Sequence, residues 1–174
     1  EVKEFSQEAS VYVINTCTVT NMADRKSRQM MHRAKKKNPD GIIVAVGCYV
    51  QAAKEQLEED TLIDLVIGNN MKSQVVQIVE QYIQDNRHTE DRDAYVADIA
   101  HSHEYEPMHI ETVSEHTRAY IKIQDGCNQF CSYCIIPYAR GRVRSRKMED
   151  ILQEVRNLTA NGYKEIVLTG MFRH

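Results

Sequence analysis

The stretch Val11-Tyr12-Val13-Ile14-Asn15-Thr16-Cys17 opens with VYVIN, a β-branched and aromatic run bounded by polar residues, which reads as a strand. Similar wording returns twice: Ile42 to Val46 is IIVAV, followed by Gly47-Cys48, and Asp64 to Gly68 is DLVIG, followed by Asn69-Asn70. Nearly continuous apolar strands are what a parallel sheet covered by helices on both faces requires. Helical wording fills the intervals. Asn21 precedes a stretch that runs to about Lys37, with Asp24 three positions on as a variant capping box and Lys35, Lys36 and Lys37 at the end where cations suit the helix dipole. Asn38-Pro39-Asp40-Gly41 then ends it. Gln51 to Glu59 reads as a short helix, and Asn69 or Asn70 caps a further one through about Tyr82, with Val75, Ile78, Val79 and Tyr82 as its buried stripe. Three strand–helix units in succession predict an α/β fold with a parallel sheet and right-handed crossovers.

Beyond Asn86 the character changes. Residues 88–116 are rich in acid and histidine and only weakly periodic, which predicts an interdomain segment that adds an irregular strand or two. Its histidines have no metal-ligand spacing. A second unit opens at Thr117: AYIKIQ (residues 119–124) alternates as a strand, Met148 to Leu158 repeats apolar residues at helical spacing, Gly162 closes that helix, and EIVLT (165–169) is the next strand. The expected organisation is therefore a first α/β domain over 1–87, a segment over 88–116 and the β-α-β start of a second domain over 117–174. A β-α-β piece this short cannot cover both faces of a parallel sheet, so the chain is expected to be a fragment of a larger protein.

The 174 residues carry 22 basic and 25 acidic side chains, a formal charge of −3 that excludes a uniformly basic nucleic-acid coat. The charge is uneven: 11 basic against 12 acidic over 1–87, 1 against 8 over 88–116, and 10 against 5 over 117–174. No run is apolar and long enough to span a membrane, and EVKEFSQEAS has neither the basic nor the apolar region of a secretory signal. Five cysteines, an odd number, make a poor disulfide framework, so a reducing, cytoplasmic setting is expected.

Three of those cysteines, Cys127, Cys131 and Cys134, form C-x3-C-x2-C just past the strand ending near Gln124, on the edge where parallel α/β proteins bind ligands. Three thiolates in one loop fit an iron–sulfur cluster with one iron left open to a small chelating ligand; zinc, which prefers four protein ligands, is the alternative. Cys17 and Cys48 each follow a strand of the first sheet, so their sulfurs can meet on one edge to share a metal. On sequence geometry alone, two buried thiols in apolar surroundings is the preferred reading of the pair. Arg140, Arg142, Arg144, Arg146 and Lys147 put five cations in eight residues. In an extended backbone the i, i+2 spacing aligns the four arginines for fork-like contacts to phosphate or carboxylate. The helix carrying Arg25, Lys26, Arg28, Arg33 and the three lysines can extend a positive surface toward RNA.

The loop Cys127-Asn128-Gln129-Phe130-Cys131-Ser132-Tyr133-Cys134, with an aromatic before the last cysteine, resembles the cluster loop of radical S-adenosylmethionine enzymes. The wider text IKIQDGCNQFCSYCIIPYARGRVRSR, with VINTCTVTNMADRKSRQ and VAVGCYVQ, resembles the methylthiotransferase branch, and Thr18 to Lys26 is most similar to the members acting on threonylcarbamoyladenosine beside the tRNA anticodon. The resemblance implies a parallel-sheet amino-terminal methylthiotransferase domain followed by the first β-α-β part of a radical SAM partial TIM barrel. It also implies two [4Fe-4S] clusters in the full-length protein, S-adenosyl-L-methionine as cofactor, and tRNA and an electron donor protein as partners. By the same resemblance Cys127, Cys131 and Cys134 hold the radical-generating cluster, Tyr133 packs near the adenine of S-adenosylmethionine, and Thr169 and Gly170 approach its methionine part. Cys17 and Cys48 are two of three ligands of a second cluster, whose third ligand belongs to a glycine-cysteine-lysine motif upstream of residue 1. Cluster and cofactor carry the chemistry, so no catalytic side chain is assigned, and a chain lacking that ligand and the rest of the barrel is expected to be inactive by itself. The same chemistry on isopentenyladenosine or a ribosomal protein aspartate is the nearest alternative. A noncatalytic zinc-stabilised RNA-binding module is the alternative of another class.

Overall fold

In the computed structural model, residues 2–54, 57, 60–85, 93–102, 104–106 and 118–170 are described. Strands β1 (Val11–Thr16), β2 (Ile42–Gly47), β3 (Leu65–Ile67) and β4 (Asp93–Tyr95) form one parallel sheet in the order β1-β2-β3-β4. Helix α1 (Asn21–Lys37) follows β1, α2 (Cys48–Ala52) follows β2, and a 3-10 turn (Lys72–Gln74) leads into α3 (Val75–Gln84) after β3. Both faces of β2 and β3 are buried, while edge strand β1 leaves Val13 and Asn15 exposed on one face. On one face of the sheet, Ile43 and Ala45 pack with Tyr12, Met31, Ala34 and Val50; on the other, Val44, Val46, Leu65 and Ile67 pack with Ile78 and Tyr82. This two-sided burial is why β2 and β3 read as unbroken apolar runs.

Local starts differ from the sequence reading by a residue or a few. Thr20, not Asn21, caps α1: its backbone is extended, and its hydroxyl accepts from the Ala23 N–H at 3.1 Å. The helix after β2 begins at Cys48 rather than Gln51, and much of its expected continuation to Glu59 lies outside the described residues. Neither Asn69 nor Asn70 caps α3; a 3-10 turn without a side-chain cap does its entry. Among its described residues the acidic stretch supplies one strand, β4, and that strand extends the first sheet. Much of 88–116 lies outside the described residues, as does Thr117.

The second unit pairs β5 (Arg118–Lys122) in parallel with β8 (Glu165–Thr169) across helix α5 (Met148–Ala160), with Ala119, Ile121, Leu158 and Tyr163 as its core. This β-α-β element is a two-stranded sheet, not a closed barrel. After β5 the chain leaves that sheet. β6 (Gln124–Asp125) pairs antiparallel with β7 (Arg144–Ser145), and the intervening chain holds the cysteine loop and the short helix α4 (Ile136–Arg140). Two-residue ladders have no period from which a sequence could reveal them.

Candidate functional site

The parallel register pairs Thr16 with Gly47, so Cys17 and Cys48 leave adjacent strands side by side on one sheet edge. Thr16 donates from its hydroxyl to the Val46 carbonyl at 2.7 Å, tying the two strand ends together. Gly47, at φ 110, turns the chain directly into α2; a Cβ there would lie 2.7 Å from the Thr16 carbonyl oxygen. Cys17 is exposed, and its N–H donates to Ser27 Oγ at 3.3 Å. Cys48 is buried, and Asn69 Nδ2 approaches its Sγ at 3.4 Å.

The second cysteine group is shaped by another glycine. Gly126 has φ 77, and a Cβ on it would stand 2.1 Å from the Arg142 carbonyl oxygen. The next residue, Cys127, donates its N–H to the Gly141 carbonyl at 3.0 Å, Val143 N–H donates to Asn128 Oδ1 at 3.0 Å, and Cys134 N–H closes a turn onto the Cys131 carbonyl at 2.9 Å. All three thiols are free and half-buried. Phe130 sits at φ 47, a left-handed conformation uncommon for an aromatic residue. Its ring meets Tyr138 edge-on at 5.8 Å and lies 5.2 Å from the Arg142 guanidinium. Tyr133 is 83% exposed. Thr169 and Gly170 are half-buried at the end of β8, where the Thr169 carbonyl accepts from Ile123 N–H at 2.8 Å.

The two units meet through α2 and α4. Asn69 Nδ2 donates to the Ala139 carbonyl at 2.6 Å, and Gly141 lies against Ile99, where a Cβ would stand 2.3 Å from the Ile99 carbonyl oxygen. Arg140, at the end of α4, reaches Cys48. Burial works against its charge, but the hydrogen bond and charge of Cys48, with Asp125, outweigh it and hold the guanidinium pKa above its usual range. Cys48 thus stands between an amide of its own unit and a cation of the other.

The four arginines do not form a single outward row. Arg142 is exposed, Arg140 is half-buried, and Arg144 and Arg146 are buried. Arg146 pairs with Glu154 of α5, while Arg144 donates from Nη2 to the Arg140 carbonyl at 2.7 Å. Asp125 is the residue that sequence reading passed over. It is the sole acid between Arg118 and Met148, and it faces Lys122 at 2.8 Å, Arg140 at 3.6 Å and Arg144 at 3.9 Å. That isolation among cations was its available signal. Lys72, which lines the same space from the first unit, had none.

Among the described residues, no three or more His, Cys, Asp or Glu side chains are gathered closely enough to hold a metal ion. The donor chemistry of the C-x3-C-x2-C loop nevertheless suits a thiolate-ligated cluster, since three unpaired thiols share one short, partly exposed loop. No helix of the described residues is long and apolar enough to cross a membrane.

Comparison with known proteins agrees with both cysteine regions. Residues 1–68 match the model described as Uncharacterized protein family UPF0004, and residues 121–172 match the Radical SAM superfamily. Threonylcarbamoyladenosine tRNA methylthiotransferase MtaB of Bacillus subtilis is 42% identical over 171 residues, covering 98% of this chain and 37% of the relative. The protein of that name from Aquifex aeolicus is 44% identical over 170 residues, covering 98% and 40%. The tRNA-2-methylthio-N(6)-dimethylallyladenosine synthase of Clostridium perfringens is 35% identical over 178 residues, covering 98% and 38%. The chain thus spans about two fifths of the length of these relatives. With both cysteine motifs inside the matched regions and the similarity running through nearly all its residues, the chain belongs to the radical S-adenosylmethionine methylthiotransferase family.

Proposed function

We propose that this protein takes part in adding a methylthio group to threonylcarbamoyladenosine in tRNA, with Cys127, Cys131 and Cys134 as ligands of a [4Fe-4S] cluster and Cys17 and Cys48 as ligands of a second. The observation that carries this reading is the placement of two thiol groups at strand-end edges, one reached through Gly47 and the other through Gly126, in a chain 42–44% similar in sequence identity to two proteins named for that reaction. Those two proteins stand at 42% and 44%, against 35–37% for proteins named for dimethylallyladenosine, while other proteins named for threonylcarbamoyladenosine fall at 35–36%; it is the two higher values that favour threonylcarbamoyladenosine as the substrate. When bound, cluster and S-adenosylmethionine supply one-electron chemistry that opens an unreactive C–H bond.

The chain's own residues supply placement. Hydrogen bonds from Cys127, Cys134 and Val143 shape the loop backbone while leaving the thiols free, so metal binding itself draws the sulfurs together. Asn69 and Arg140 hold Cys48 at the boundary between the units. Exposed Tyr133 offers a face to an adenine ring, and Thr169 and Gly170 flank the same edge from β8. Exposed Arg142 and the basic face of α1 supply phosphate contacts to RNA, with Arg140, Arg144 and Arg146 set behind them. This reading keeps the expected division into a first domain over 1–87, a connecting segment over 88–116 and a radical SAM unit over 117–174, with β4 of the segment pairing onto the first domain's sheet.

Two experiments test the reading. Mass spectrometry of tRNA nucleosides from cells lacking the gene should show loss of the methylthio derivative of threonylcarbamoyladenosine with its unmethylthiolated precursor retained; an unchanged nucleoside profile overturns the substrate. After anaerobic reconstitution, Cys131→Ala should remove the loop cluster's iron and acid-labile sulfide, because two thiolates and a methyl group cannot complete its coordination. Unchanged iron and an unchanged cluster spectrum in that variant, or zinc in place of iron in the unaltered chain, overturns the cluster assignment.

A further inference from the structure

Between the first sheet and the cysteine-loop unit lies a cavity of about 190 Å³. Five cations line it: Lys72 from the turn before α3, Lys122 from β5, and Arg140, Arg144 and Arg146 from the chain that returns from the cysteine loop. Among the described residues three carboxylates face them, those of Glu106, Asp125 and Glu154, two fewer than the cations. The carboxylates are already engaged. Glu154 pairs with Arg146, and Glu106 accepts from Ser73 N–H at 2.7 Å and from its hydroxyl at 2.9 Å. Asp125 is shared among Lys122, Arg140 and Arg144.

Two of the cations are left poorly matched. Among the described residues no carboxylate lies within ion-pair distance of Lys72, whose ammonium donates only to Asn15 Oδ1, at 3.4 Å. Burial is the largest influence on Lys72 and, with the neighbouring charges of Lys122 and Arg140, outweighs Cys48 and Glu106 and lowers its pKa, so this ammonium is partly stripped of water with no carboxylate in direct contact. Arg144 has a side chain 3% exposed, and its Nε and Nη1 are buried with no hydrogen-bond partner among the described residues. An unsatisfied donor on a buried cation costs stability unless an acceptor comes to it. A water molecule would supply an acceptor but no charge, and the one carboxylate near Arg144, that of Asp125 at 3.9 Å, is divided among three cations. An anion supplies both.

We propose that this interdomain cavity binds one phosphate group, with Lys72 on one wall and Arg144 on the other as its principal ligands. Tetrahedral phosphate presents oxygens in several directions and so serves donors that converge from two units, whereas a carboxylate offers two oxygens in one plane. The volume is below the roughly 300–1,000 Å³ of sites that enclose a whole small molecule, so the cavity fits a single group. Cys48 lines the same cavity, so a phosphate held there lies beside the thiol edge of the first sheet. If the proposed tRNA activity holds, the RNA backbone is the source of the group, and this one assignment rests on that reading. The cavity's affinity for phosphate does not.

The test is calorimetric titration of the unaltered chain with inorganic phosphate at an ionic strength fixed with chloride. Saturable binding is expected, weakened at least about tenfold by Lys72→Gln and by Arg144→Gln, and changed less than about twofold by Arg156→Gln, which removes an exposed cation of α5 outside the cavity. Lys72 stands at a half-buried turn, so its variant keeps the test decisive even if loss of buried Arg144 disturbs folding. No saturable binding, or equal weakening by all three substitutions, overturns the site. So does acetate that competes as strongly as phosphate, which would make it a carboxylate pocket. A seven-nucleotide RNA that displaces phosphate from the unaltered chain, and whose own affinity falls in Lys72→Gln, supports the RNA backbone as the source. RNA binding indifferent to Lys72→Gln, with phosphate binding still sensitive, overturns that source and leaves the site to free phosphate. The nucleoside analysis judges the methylthiotransferase reading separately, so neither failure is mistaken for the other.

Discussion

At the end of β2, Gly47 delivers the chain to Cys48; at the end of β6, Gly126 delivers it to Cys127, again with positive φ and no room for a side chain. The local device is shared, but its foundations are unequal. Cys48 starts a helix above a four-stranded sheet packed on both faces, and its neighbours come from both units. Cys127 opens a loop above a two-residue ladder, next to a sheet of two strands with one small core; Tyr120 and Leu168 of that sheet are 57% and 51% exposed. Rigidity of a thiol site is therefore borrowed from different sources. At Cys48 it comes from burial, and at the loop it comes from a few backbone hydrogen bonds plus whatever the thiols bind. Regions of the second kind open locally at lower free energy than a two-faced sheet does.

The largest expected effect tests that inequality directly. Leu65 and Leu158 are both essentially buried, and Leu→Ala at such sites costs about 2–5 kcal/mol through lost transfer energy and the cavity left behind. Leu65→Ala should lower the urea midpoint of the chain and the hydrogen-exchange protection of β1, β2 and β3 together. Leu158→Ala should lower protection in β5, β8 and α5 while leaving the first sheet's amides near their original rates. If both variants lower protection everywhere by similar amounts, the two units unfold as one and the comparison breaks.

How far this could be read beforehand follows from the range of each interaction. β1, β2, β3 and α5 announce themselves through local composition and period, and side-by-side emergence of Cys17 and Cys48 follows from parallel pairing of successive strands. The ladder between β6 and β7 is too short to carry a period. The Asn69–Ala139 hydrogen bond joins residues 70 positions apart, and neither residue type hints at the other. The alignment of Arg140, Arg142, Arg144 and Arg146 assumes one extended backbone. In the structure Arg140 ends a helix and Gly141 takes φ 75, so the even spacing does not become a shared face. Asp125 was legible as the lone acid of its segment, but its three cationic neighbours required the fold.

A smaller effect sharpens the comparison at the glycines. Alanine at either position pays about 1–3 kcal/mol for the positive-φ backbone before any clash is counted, and Gly47, at φ 110 and ψ −153, lies in a region open almost to glycine alone. At Gly126 the new Cβ would stand 2.1 Å from the Arg142 carbonyl oxygen, against 2.7 Å from the Thr16 carbonyl at Gly47. Gly126→Ala should displace the loop: alkylation of Cys127, Cys131 and Cys134 accelerates, while the main unfolding transition moves little. Gly47→Ala should do the reverse, lowering the midpoint of the first sheet. Equal loop alkylation rates in the parent and Gly126→Ala chains would mean that the loop does not depend on its glycine.

The smallest expected effect concerns acid, and it separates the two thiol sites by charge rather than packing. Burial pushes the Asp125 carboxyl pKa up, but the hydrogen bond and charge of Lys122, the Gly126 N–H and the charge of Arg140 outweigh it, and the net result lies below the ordinary carboxylate value. Because the folded pKa is the lower one, ionised Asp125 contributes stability that is fully present above the unfolded pKa near 4. That contribution is lost as pH falls through the folded value. Protonation removes the one negative charge shared by Lys122, Arg140 and Arg144, next to the backbone that carries Cys127. Exchange of the Asp125–Val143 amides should therefore accelerate relative to the amides of β2 as pH falls below the ordinary aspartate value near 4, after correction for intrinsic rates. Asp125→Asn should show the faster loop exchange already at pH 6 and little further change on acidification. A parent chain whose loop and β2 protection fall in parallel with acid, or an Asp125→Asn chain that retains the parent's pH response, would place the acid-sensitive group elsewhere.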